Sequence, residues 1–212
     1  MLLLSDGRVA AVPLIDNGEV LVDLRELPLL QVDPRRQEAT GAYARVRRGV
    51  VSRLLQARTQ LPPGMDFLVV EGHRPAAVQR QYFENYQARL ARSHPDWPAQ
   101  QLYVEVSKFV SPVSVAPHPC GAAIDLTLCD GDGVELDMGT AVNASPEESH
   151  NQCFTDAVDL EPRARRNRNI LCSVLSAVGL INYPTEWWHW SFGDRYWAAV
   201  TGAAAAVYGP ID

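Results

Sequence analysis

Residues 122–128, Ala-Ala-Ile-Asp-Leu-Thr-Leu, alternate with a period of two. Ile124, Leu126 and Leu128 face one way, and Ala123, Asp125 and Thr127 face the other. That periodicity is a β-strand's, and it sets a carboxylate on one face of a strand whose other face is wholly apolar. A sheet must therefore bury the leucine face, with a polar site on the opposite side. The turn Asp130-Gly131-Asp132-Gly133 follows, and Val134-Glu135-Leu136 is expected to return as a hairpin strand.

The other segments supply layers to cover such a sheet. Phe67-Leu68-Val69-Val70 is a continuous apolar run that suits a buried strand. Residues 41–60, with Ala44, Val46, Val50, Leu54 and Leu55 among arginines, read as an amphipathic helix closed by Pro62-Pro63-Gly64. Pro75 opens a second helix over 76–93, and a third runs from Pro98 towards Phe109. Pro162 to Val178 is a helix with Gly179 at its C′ position, and a strand or loop around Ile181 follows it. Residues 137–160 are polar and read as one long loop, and 9–24 as part of an extended N-terminal arm. Helices and strands alternate without βαβ regularity. The expected fold class is α+β, one domain over 1–212, with a central mainly antiparallel sheet flanked by helices.

With 212 residues, 47% of them hydrophobic, the chain can bury one core of ordinary size. The net charge of −6 argues against a nucleic-acid partner. Arg163, Arg165, Arg166 and Arg168, the densest basic group, read mostly as the solvated face of a helix. No apolar run approaches the length of a membrane span, so no membrane insertion is expected. Met1-Leu2-Leu3-Leu4-Ser5-Asp6 lacks the pattern of a signal peptide, which reads as a cytoplasmic protein. Cys120, Cys129, Cys153 and Cys172 form no C-x-x-C pair and are expected to be free thiols, with Cys120 a bystander to the neighbouring histidine turn.

His118 lies in a Pro-His-Pro-Cys-Gly turn that leads into the strand bearing Asp125, and His189 arrives from near the C-terminus. Two imidazoles and one carboxylate, with a fourth position left open, form the donor set of a catalytic zinc site. Glu186, three residues before His189, would stand beside that metal as general acid/base; it reads equally well as a surface glutamate beside tryptophans. Arg74, at the end of a strand, is placed to meet an oxyanion, although its plainest reading is a salt bridge to Glu71.

In these segments the chain resembles the zinc D-Ala-D-Ala peptidases. His118-Pro-Cys-Gly121-Ala-Ala123-Ile-Asp125 is similar to their H-x-x-G-x-A-x-D signature, Glu186-Trp-Trp188-His189 to E-x-W-H, and Gly72-His-Arg74-Pro75 to G-x-R-P. Asp137-Met-Gly139-Thr140 and Ser149-His150 resemble the dipeptidase branch that includes the vancomycin-resistance enzymes. The matching blocks form a family core over 66–197, ahead of which lies the extended arm, 1–40. The resemblance implies a Hedgehog/DD-peptidase-like fold and one zinc per chain on His118, Asp125 and His189. It also implies hydrolysis of a D-Ala-D-Ala amide, with Glu186 and Arg74 catalytic and a small peptide as partner. The chain carries no signature of an oligomeric state.

Asn143, Ala116 and Trp188 are expected around the substrate. Two of these depart from the family pattern: Ala116 stands where serine is usual, and Asn143 where the dipeptidases have an aspartate that meets the substrate's ammonium. Asparagine accepts a hydrogen bond but carries no charge. Glu147, Glu148 and Asp137 are the nearby candidates to compensate. The other readings are a zinc D,D-carboxypeptidase or amidase with altered amino-side specificity, and a non-catalytic zinc-binding module. Glu186 and Arg74 argue against the module.

Overall fold

The computed structural model describes residues 1–211. Seven strands form two sheets. In the smaller, β1 (Leu21–Asp23) pairs antiparallel with β3 (Arg45–Arg47). The larger joins β2 (Gln31–Val32), β4 (Met65–Glu71), β5 (Ala123–Asp130), β7 (His189–Ser191) and β6 (Ile181–Asn182) in that spatial order. Only the β2–β4 pairing in it is parallel, so the sheet is mainly antiparallel as expected.

The main core buries Ile124, Leu126 and Leu128 of β5 against Val50, Val51 and Leu54 of α2 (Arg48–Arg58) and Leu171, Val174 and Leu175 of α5 (Pro162–Ser176). This is the apolar strand face read from the sequence. The end of α5 is closed by Gly179 at φ +81°, with Leu180 N–H bonded to Leu175 O and Gly179 N–H to Ser176 O. These are the two bonds of a glycine C-cap. On the site side, α3 (Ala76–Ser93) and α4 (Ala99–Ser107) pack together around Tyr86, Leu90, Val106 and Val110. All four cysteines are free.

Three expectations are corrected. The helix expected over 41–60 begins only at Arg48; Ala42–Ala44 make a 3-10 turn and Arg45–Arg47 are strand. There Val46 is buried, while the Arg47 guanidinium turns in to bond the carbonyls of Cys120, Glu19 and Gly209. The N-terminal arm is not merely extended. It holds α1 (Gly7–Ala10), β1, β2 and short 3-10 turns, because Asp6, Asp23 and Asp33 each accept the N–H two residues on and cap a single turn. Val134–Leu136 return beside β5 through two backbone bonds and one bridge, short of a full hairpin strand.

The arginine group on α5 is also only partly solvated. Arg168 is buried and donates to the carbonyls of Met138, Gln152 and Phe154, stitching the 137–160 loop to the helix. Burial, with Arg165 nearby, pushes its guanidinium down to about 10. Among the described residues, no helix is long and apolar enough to cross a membrane.

Candidate metal centre and active site

Three neighbouring strands carry the site in a row. Asp125 of β5 lies directly opposite His189 of β7 on one side and Glu71 of β4 on the other. Directly opposed residues share a sheet face, so all three side chains leave the sheet on its polar side. Glu71 reaches this row through a register shift. Val69 pairs with Leu126, but Glu71, not Val70, pairs with Asp125. A bulge of one residue re-aims the carboxylate from the core face to the site face.

His118 comes from the 3-10 turn His118–Cys120, just before β5. Its Nδ1 lies 2.6 Å from the Gly72 carbonyl. A carbonyl only accepts, so Nδ1 carries the proton and Nε2 offers a lone pair to the site. That Nε2 is 3.4 Å from Asp125 Oδ1, and His189 Nδ1 is 2.9 Å from the same oxygen. In a tetrahedral zinc site, bonds of about 2.0–2.2 Å set neighbouring donors about 3.3 Å apart. Among the described residues, His118, Asp125 and His189 are the group whose donor atoms lie close enough to share one ion. All three are buried, and the donor set fits a zinc ion with one position open to the cavity.

The electrostatics separate two carboxylates. Burial alone would raise Asp125, but His118 and His189 hold it well below the usual carboxylate range. Glu186 shifts the opposite way. Burial, and then the charge of Asp125, push its carboxyl well above the ordinary value against the opposing pull of Arg74. Glu186 sits on a tight turn: its N–H bonds Tyr183 O, and its carbonyl accepts from His189 N–H and Asn182 Nδ2. Its Oε2 is 3.9 Å from His189 Nδ1.

Arg74 is held bidentately by Glu71, at 2.6 and 2.7 Å, and by Gln79 at 2.9 Å. Tyr82 stacks on it, 4.9 Å from ring centre to guanidinium carbon. Its Nη2 lies 4.0 Å from Asp125 Oδ2. The salt bridge to Glu71 thus sets Arg74 beside the group formed by His118, Asp125 and His189.

One cavity of about 290 Å³ is lined by Arg74, His118, Asp125, Asn143, Glu186 and His189 together. Two expected substrate neighbours are corrected. Trp188 lies in the turn that leads into His189, and its ring is buried in the core, edge-on to Trp187. Ala116 is buried beneath the turn, where its carbonyl accepts from Cys120 Sγ, and neither residue lines the cavity. Cys120 is outside the ligand group, and burial raises its thiol to about 12. The cavity also takes in residues that no motif marked, namely Arg36, Tyr82, Asn85, Tyr86, Arg89 and Phe109. The helical spacing of Tyr82, Tyr86 and Arg89 was the available signal.

A family model described as D-Ala-D-Ala dipeptidase, peptidase family M15, matches residues 41–203. The chain belongs to this family. As an M15 peptidase it is similar to a D-alanyl-D-alanine dipeptidase of Synechocystis sp., with 30% identity over 216 residues, 89% of this chain and 87% of that one. It is also similar to a D-alanyl-D-alanine dipeptidase of Escherichia coli K12, with 32% identity over 127 residues, 59% of this chain and 54% of that one. A solved structure of VanYB in complex with D-Alanine-D-Alanine matches with 14% identity and a TM-score of 0.36, over 93% of this chain and 94% of that one.

Proposed function

We propose that this peptidase hydrolyses the amide bond of D-Ala-D-Ala, or of a close derivative, at a single zinc held by His118 Nε2, Asp125 and His189 Nδ1. The observation that carries this reading is convergence. Glu186 and Arg74, from separate elements, open on the same cavity as the three ligands. The names of the Synechocystis and E. coli relatives support the substrate.

A zinc ion in this position supplies Lewis acidity and lets water ionise near neutral pH. Glu186 accepts the proton of the attacking water and returns it to the leaving amine. A carboxyl raised above its ordinary value suits both roles, since its basicity lies closer to the working pH. The Arg74 guanidinium, fixed by Glu71 and Gln79, donates to the carbonyl oxygen as negative charge develops there. Tyr82 and Phe109 add apolar wall that keeps bulk water from the reacting bond.

The test is chiral detection of D-alanine released from D-Ala-D-Ala and from N-acetyl-D-Ala-D-Ala by zinc-reconstituted protein. Release that disappears in Glu186→Ala, with zinc retained, is the expected result. No release from either substrate by zinc-bound wild type would remove the reading.

A further inference from the structure

Asn143 reaches the cavity from a loop, with its backbone in the left-handed region at φ +65°. It is anchored from both sides. Before it, Val142 is buried in the main core, and the Thr140 hydroxyl accepts from the Trp187 indole at 2.8 Å. After it, Ser145 to Ser149 close one self-capped turn. Glu148 Oε2 accepts from Ser145 N–H at 3.1 Å, Ser145 Oγ accepts from Glu148 N–H at 3.3 Å, and Ser149 N–H donates to the Ser145 carbonyl at 3.0 Å. The first two are the reciprocal bonds of a capping box. A turn tied in this way behaves as one piece, so whatever holds it also sets Asn143, two residues ahead.

Helix α3 holds that turn. The Tyr86 hydroxyl donates to Glu147 at 2.8 and 3.0 Å, and Arg89 stands 3.7 Å from Glu147 and 3.8 Å from Glu148. The two contacts differ in weight. Tyr86 is buried, and a hydrogen bond from its hydroxyl to a charged carboxylate is of the stronger kind. The Arg89 and Glu147 side chains are 45% and 46% exposed, and an ion pair in water is weak. Tyr86 lies one helical turn beyond Tyr82, which stacks on Arg74. One face of α3 therefore sets both the Arg74 guanidinium and the turn behind Asn143. Tyr82, Tyr86 and Asn143 line the catalytic cavity. Glu147 does not; it borders a neighbouring cavity with Lys108 and His150.

We infer that Glu147, through the Tyr86 hydroxyl, is a positioning residue for substrate binding: it holds Asn143 at the cavity wall without touching the substrate. Its loss acts on binding and leaves the bond-breaking groups, Glu186 and Arg74, in place. This rests on the zinc peptidase reading of the site, with Asn143 beside the substrate.

Steady-state kinetics of zinc-loaded protein decide it, on whichever of D-Ala-D-Ala and N-acetyl-D-Ala-D-Ala the wild type turns over. Glu147→Ala is expected to raise KM about 10-fold, the size of one charge-assisted hydrogen bond, with kcat within about twofold of wild type. Tyr86→Phe should do the same. Glu147→Gln, which keeps an oxygen for the Tyr86 hydroxyl, recovers part of the loss. The deciding comparison is made in the Asn143→Ala background, where Glu147→Ala adds nothing further to KM because the group it positions is gone. An unchanged KM in Glu147→Ala, a loss that falls on kcat alone, or an increase of the same size with Asn143 already removed overturns the inference and leaves the peptidase reading intact. No turnover of either substrate by zinc-loaded wild type overturns both.

Discussion

Glu71 grips Arg74 through two hydrogen bonds, of 2.6 and 2.7 Å, from a strand position that faces Asp125 across the ladder. Both partners are buried, and burial alone would raise the Glu71 carboxyl; the Arg74 charge more than offsets it and holds the group below its ordinary value. The pair fixes the guanidinium 4.0 Å from Asp125, beside His118 and His189.

Breaking one half of a buried pair strands the other, at a cost of about 3–5 kcal/mol. Arg74→Met is therefore expected to lower stability by about that amount and kcat by about 10²–10³. The double variant Glu71→Gln/Arg74→Met should recover most of the stability and none of the activity. Denaturant unfolding of the four proteins in the cycle checks this. Additive losses would show that the two side chains do not act as a unit.

Gly72 links the strand end to the first histidine. A Cβ there would lie 2.5 Å from the Arg45 carbonyl oxygen and 2.8 Å from Val46 Cγ1, so backbone would have to move. The Gly72 carbonyl itself holds His118 Nδ1, so a shift of this backbone disturbs that bond. Gly72→Ala is expected to weaken zinc binding by about 10–100-fold, the scale of a lost outer partner. Competition against a chelator of known affinity measures this.

The raised carboxyl of Glu186 predicts a pH signature in the metal-free protein. Its folded value exceeds its unfolded one, so the folded state holds the proton more tightly. Its contribution to stability is complete below the unfolded value and is lost as pH rises through the folded value. Glu186→Gln should therefore raise the Tm of the metal-free protein at neutral and alkaline pH, with the gain shrinking towards pH 4. An equal shift at every pH would show that Glu186 is not desolvated.

Arg168 ties three carbonyls of the 137–160 loop to α5, and its guanidinium lies 5.4 Å from the Trp187 ring centre. Each buried carbonyl left without a donor costs about 1–3 kcal/mol. Arg168→Met is expected to destabilise the fold by about 3 kcal/mol and to speed hydrogen exchange first between Met138 and Phe154. Uniform exchange across the chain would contradict the tether.

Much of this was legible before any coordinates. Periodicity and punctuation gave the α3 range and the alternating strand that presents Asp125, and Gly179 marked where α5 stops. The turn before β5 and the short Glu186–His189 spacing marked four residues that share the cavity. What escaped is what periodicity does not carry. The β4 bulge that turns Glu71 to the site leaves no trace in an apolar run. Arg168 reads as surface because its partners are backbone carbonyls about 14–30 residues away in sequence. Arg45–Arg47, within the helix expected from 41, are strand because β1 and the turn before β5 claim them, a tertiary demand on a sequence with adequate helix propensity.

The central claim is one zinc, held by three named ligands, beside one base. Its most direct measurement is a titration of zinc into metal-free protein, following D-alanine release and bound metal together. The account predicts that release rises linearly and stops at about one zinc per chain. It also predicts that Asp125→Asn loses tight binding and turnover together. Turnover without metal, saturation at two ions per chain, or full activity in Asp125→Asn would contradict it.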